Sequence, residues 1–141
     1  MVYKRKAQVL FVGSHDDSRA LIAAAIANDL GQGYMTARAA TLAPSPPPPA
    51  LQQALHALGL DIATAPAPLD AADLAWADLL VTLDIAAARA CPDLPPWVQT
   101  RCYPFAVPEN AQSLRQVYAA IRQRVAGMLG GMAMLAKVDN C

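Results

Sequence analysis

At 141 residues the chain is long enough for one hydrophobic core and short for two, so a single domain covering 1–141, with its core within about 7–130, is expected. Hydrophobic residues make up 55% and charged ones 16%, which excludes a disordered or solvated coil. Eleven basic and eleven acidic side chains cancel, leaving no net field to hold a polyanion and arguing against nucleic acid as a partner.

The basic start Tyr3-Lys4-Arg5-Lys6 leads into only a short apolar stretch before Gly13, too short for a secretory signal and without a cleavage site. No apolar run approaches the ~20 residues of a membrane span. A cytoplasmic protein with no membrane partner is expected. Cys91, Cys102 and Cys141 are odd in number and widely spaced, unlike a secreted disulfide framework or a zinc site, so reduced thiols, no metal and no cofactor are expected.

Residues 7–12, AQVLFV, predict a strand buried on both faces of a parallel sheet. The polar loop GSHDDS follows, and ALIAAAIANDL over 20–30 then predicts a helix stopped by Gly31. Residues 33–41 suit a second strand. The run from Pro46 to Pro49 predicts a stiff extended loop, with a proline-binding partner as the alternative. Leu51, Leu55 and Leu58 mark one face of a short helix ending at Gly59. His56 on that helix has no second ligand near it in sequence and reads as solvated.

Farther along, residues 69–76 predict a helix capped by Asp70, 78–83 a buried strand, 85–90 a helical turn and 101–105 a strand. Leu114, Val117, Tyr118, Ile121, Val125, Met128 and Leu129 recur at helical spacing in a closing helix. The apolar tail after Gly130-Gly131 suits packing or self-association, so a monomer or weak homodimer is expected. Strand, polar loop and helix in alternation give an α/β, three-layer Rossmann-like fold: a four-stranded parallel sheet flanked by helices.

In such sheets a loop at the carboxyl end of the first strand that opens a helix is a natural anion site. That loop here, in VLFVGSHDDSRA, resembles the phosphate-binding loop of low-molecular-weight protein tyrosine phosphatases and thioredoxin-coupled arsenate reductases. In that family a cysteine, five residues and an arginine follow the strand. Arg19 falls on the arginine and Gly13 on the cysteine. The later segment LLVTLDIAAARACPDLPPWVQTRCYPFAVPEN resembles the arsenate reductase branch in its Val-Thr-Leu strand, its Cys91-Pro92 and its Pro95-Pro96. The resemblance implies that Val107-Pro108 stands where the family has its aspartate-proline general acid.

The family's chemistry begins at a thiolate whose pKa is lowered by loop amides. Gly13 has no side chain to play that part, Val107 cannot protonate a leaving oxygen, and Ala20 replaces a supporting hydroxyl. Ser14 with His15 as its base is the weak alternative for a residual hydrolase. The candidate anion-binding set is Ser14, His15, Asp16, Asp17, Ser18 and Arg19, although Asp16 and Asp17 repel an oxyanion. One of these carboxylates pairing with Arg19 would close the site, and Asp17 or Ser18 would cap the helix. A metal on His15, Asp16 and Asp17 would require three consecutive residues to converge. The arsenate relay would use Cys91, but Asp84 stands where the relay's middle cysteine belongs. Trp76, Trp97, Tyr103 and Phe105 suit either a rim around the site or core packing.

Three functions remain open on the sequence. The first is a non-catalytic member of the family that binds a protein partner or small oxyanion. The second is a weak phosphatase or other hydrolase using Ser14, His15 and Arg19, and the third is a phosphate or oxyanion sensor.

Overall fold

The protein is described from a computed structural model, which covers residues 6–14, 19–42, 49–57, 59, 67–90, 93–106, 108 and 110–139. Its centre is β1 (Ala7–Gly13), whose Val9, Leu10, Phe11 and Val12 are buried. Side chains alternate across a strand, so these four feed two opposite cores. Val9 and Phe11 enter one core, and Leu10 and Val12 the other. This explains why β1 reads as an unbroken apolar run.

β2 (Met35–Thr41) lies on one side of β1 and β4 (Leu79–Thr82) on the other. β5 (Gln99–Cys102) lies outside β4, and a two-residue strand, β3 (Ala67–Pro68), outside β2. Every pairing is parallel. The expected four principal strands are present, with β3 as a minor fifth at the edge. Pro68 has no backbone donor, which suits an edge position and masks the strand in the sequence. β5 begins two residues before the expected 101. Beyond it, Tyr103 and Phe105 still donate backbone N–H bonds to the carbonyls of Thr82 and Leu83 (2.9 and 3.1 Å), while the intervening Pro104 cannot donate.

The first core is covered by α1 (Arg19–Leu30), α2 (Pro49–Ala57) and α5 (Ala111–Asp139). They contribute Ile22, Ala23 and Ile26 from α1, Leu55 from α2, and Leu114, Val117, Ile121 and Val125 from α5. The alanines of α1 let it lie close to both sheet and α5, and seven of its side chains are buried. The second core is covered by α3 (Ala71–Trp76) and α4 (Ile85–Ala90) through Leu74, Trp76 and Ala87. Helices on both faces make the expected three layers.

Local signals set the helix ends. Asp70 caps α3 as expected, accepting from the Asp73 amide at 2.8 Å while Asp73 accepts from the Asp70 amide in return. α5 starts at Ala111, earlier than its apolar spacing indicates. Asn110 accepts there from the Ser113 amide at 2.9 Å, and the Ser113 hydroxyl accepts from the Asn110 amide at 3.0 Å. After α2, Gly59 takes φ +83°, a left-handed conformation that closes a helix at little cost only for glycine. At Gly31 the constraint is space, because a Cβ would lie 2.7 Å from the Ala27 carbonyl oxygen and 2.6 Å from Met35 Cγ.

Candidate functional site

From β1 the chain moves to β2 on one side and later to β4 on the other, so the strand order reverses between β1 and β4. In an open parallel sheet that reversal leaves a crevice at the carboxyl ends of the strands, the usual place for a ligand. Ser14 follows β1 there, Asp84 lies just beyond β4, and Arg19 opens α1. The three side chains meet across the crevice.

Arg19 is 2% exposed although it carries a full charge. Its Nη2 donates to Asp84 Oδ2 at 2.7 Å, and its Nη1 donates to the carbonyls of Phe105 (2.5 Å) and Leu83 (3.3 Å). The guanidinium thus ties α1 to the end of β4 and to the segment after β5. Buried charges require such pairing, and the planar fork of arginine reaches several acceptors at once.

Asp84 Oδ2 also accepts from the Ser14 hydroxyl at 2.7 Å and from the Ser14 amide at 3.2 Å. Its other oxygen, Oδ1, accepts from the Ala87 amide at 2.6 Å and so caps α4. Burial alone would raise the Asp84 pKa. The Ser14 hydroxyl, the Ala87 and Ser14 amides and the Arg19 charge outweigh it and hold the carboxyl below its usual range. A carboxylate stabilised in this way is a poor base. The Ser14 hydroxyl that donates to it is fixed rather than activated as a nucleophile.

Gly13 ends β1 and is buried, and its carbonyl accepts from the Leu42 amide at 3.0 Å. It brings no reactive atom to the crevice. Ala20, where the family resemblance implies a hydroxyl, is 1% exposed and packs in the first core. Of the expected anion-binding set, Ser14 and Arg19 come together. His15, Asp16, Asp17 and Ser18 lie outside the described residues, as do Cys91 and Val107. The closing of Arg19 by Asp16 or Asp17 is therefore not described. Among the described residues, Asp84 is an acidic partner of Arg19.

Asp84, which the family resemblance marks only as standing in a cysteine's place, is a residue of the site that the sequence does not single out. The signal was an aspartate between a buried strand and a helical turn, a capping position, in a chain whose Arg19 starts an apolar helix and needs an anion. Cys102 is exposed, with Sγ 3.9 Å from the Asp84 carbonyl oxygen. Trp97 is exposed, whereas Trp76 and Phe105 are half-buried and pack against the two cores. Trp76 lies under the Arg38 guanidinium, 4.1 Å from the ring centroid. Tyr103 and Phe105 line an open groove beside α5 with Arg124 and Met128, and Arg124 stacks on Tyr103 at 4.4 Å.

No family model matches the chain, and no curated protein matches its sequence. Solved structures do match. The thioredoxin-dependent arsenate reductase of Corynebacterium glutamicum superposes with a TM-score of 0.70 at 18% identity, over 92% of this chain and 62% of that longer one. An arsenate reductase from Archaeoglobus fulgidus gives 0.66 at 24% identity, over 86% and 98% of the two chains. The YwlE arginine phosphatase from Geobacillus stearothermophilus gives 0.64 at 17% identity, over 94% of each. The chain has the α/β fold of these arsenate reductases and phosphatases, with four principal parallel strands flanked by helices. Among the described residues, no helix is long and apolar enough to cross a membrane.

Proposed function

We propose that the chain is a non-catalytic member of the low-molecular-weight phosphatase and arsenate reductase family, a cytoplasmic binding or regulatory protein that engages a protein partner or small oxyanion. The observation that carries this is the crevice between β1 and β4. Where covalent transfer would start stands Gly13, and the basic residue beside it, Arg19, is ion-paired with Asp84 at 2.7 Å. Phosphoryl transfer through an enzyme adduct needs a nucleophile and a cation that gains contacts in the transition state. Gly13 supplies no atom for the first. The second already has a carboxylate partner.

Arsenate reduction through a thiol relay fares no better, because an aspartate at 84 cannot pass a disulfide on. Hydrolysis by Ser14 would require a base stronger than the carboxylate its hydroxyl faces. Purified protein is expected to turn over neither aryl phosphates nor arsenate with a thiol reductant. Turnover that disappears in both Ser14→Ala and Arg19→Met would overturn the proposal.

A further inference from the structure

The Asp84 carboxylate occupies the crevice in the manner of a bound anion. Three donors converge on its single oxygen Oδ2: the Ser14 hydroxyl at 2.7 Å, the Ser14 amide at 3.2 Å and Arg19 Nη2 at 2.7 Å. A hydroxyl, a strand-end amide and a guanidinium on one oxygen form the contact set that one oxygen of a tetrahedral oxyanion takes. The site lies at the switch point of the sheet, the position at which open α/β sheets generally bind ligands. Its cation is 2% exposed and is held at the crevice by the Phe105 and Leu83 carbonyls as well.

Resting on the reading of this crevice as non-catalytic, we infer that Asp84 is a built-in, self-inhibiting ligand: it closes a latent oxyanion site formed by Ser14 and Arg19, which opens to phosphate or sulfate when the carboxylate is withdrawn. The ligand is tethered at the end of β4, so its effective concentration at Arg19 is on the order of millimolar or higher, and any free anion must compete with it. The carboxylate also caps α4 through the Ala87 amide. Movement of that short helix is thereby coupled to opening of the site, because the two Asp84 oxygens hold α4 and Arg19 together.

Two variants separate the roles of Asp84. Asp84→Ser retains a side-chain oxygen to cap α4 but withdraws the charge and the reach to Arg19. Asp84→Asn keeps the shape and loses only the charge. The probes are sodium sulfate and inorganic phosphate, with sodium chloride at matched ionic strength, read by thermal melting and by the Ser14 amide resonance. For Asp84→Ser the apparent sulfate dissociation constant is expected to fall about tenfold or more below that of the parent, with Asp84→Asn between them. Adding Arg19→Met to Asp84→Ser is expected to abolish the response.

A parent that responds to sulfate as strongly as Asp84→Ser would show the site already open and overturn the inference. So would a natively folded Asp84→Ser and Asp84→Asn pair, by circular dichroism, with no response beyond that to chloride. Neither result bears on turnover, so this inference and the non-catalytic proposal fail separately.

Discussion

Replacing Asp84 by asparagine removes the carboxylate that lies 2.7 Å from the buried Arg19 guanidinium. Removing one partner of a buried ion pair costs about 3–5 kcal/mol when nothing compensates. Two features reduce the cost here. The Leu83 and Phe105 carbonyls still accept from Arg19, and the Asp84 side chain is 17% exposed, so water reaches its side of the pair. A loss of about 2–3 kcal/mol is expected, which for a chain of this size lowers Tm by about 5–10 °C.

Arg19→Met should cost a similar amount, because it strands the carboxylate, but the double variant should lose less than the sum. Urea unfolding of the parent, both single variants and the double variant at neutral pH gives the coupling, expected at about 1–3 kcal/mol. A coupling below about 0.5 kcal/mol, the level of solvent-exposed pairs, would refute the claim that a buried ion pair closes the crevice.

The same cycle has a pH signature. The Asp84 carboxyl is held below its ordinary range in the folded protein, so the unfolded chain binds its proton first as pH falls. Its contribution is complete above the unfolded value and is lost as pH drops through the lower folded value. The stability gap between parent and Asp84→Asn should therefore be flat above about pH 5 and shrink below about pH 4. A gap that widens on acidification would contradict this account.

Other sites make their own predictions. Gly31→Ala drives a methyl against the Ala27 carbonyl and should destabilise by about 1–3 kcal/mol in urea unfolding, with overpacking as the cause. The Asn28 amide mimics a neighbouring strand for β2, accepting from the Ala37 amide at 2.8 Å and donating to its carbonyl at 3.1 Å. Asn28→Ala should cost about 1–2 kcal/mol and hasten hydrogen exchange at Ala37. Cys102 is exposed, so a thiol reagent should modify it in the native protein, and Cys102→Ser should remove that fast phase.

The strands and helices were largely legible because each carries its own period. The apolar run of β1, the spacing of Leu114, Val117 and Ile121, and the cap at Asp70 are local signals. β3 was illegible because two residues have no period and one of them is proline. The early start of α5 was hidden because Asn110 and Ser113 satisfy the first turn with polar atoms outside the apolar stripe. At the site, the lack of any side chain at Gly13 was legible in the sequence. The ion pair between Asp84 and Arg19 was not, since the two lie 65 residues apart in sequence and the β1–β4 pairing brings them together.

Intact-mass spectrometry of the protein after acid quench from an aryl phosphate, and separately from arsenate with thiols blocked, tests the absence of covalent chemistry most directly. An unshifted mass at every quench time is expected. A phosphoryl or arsenyl adduct mapped to any residue of 13–19 would contradict it.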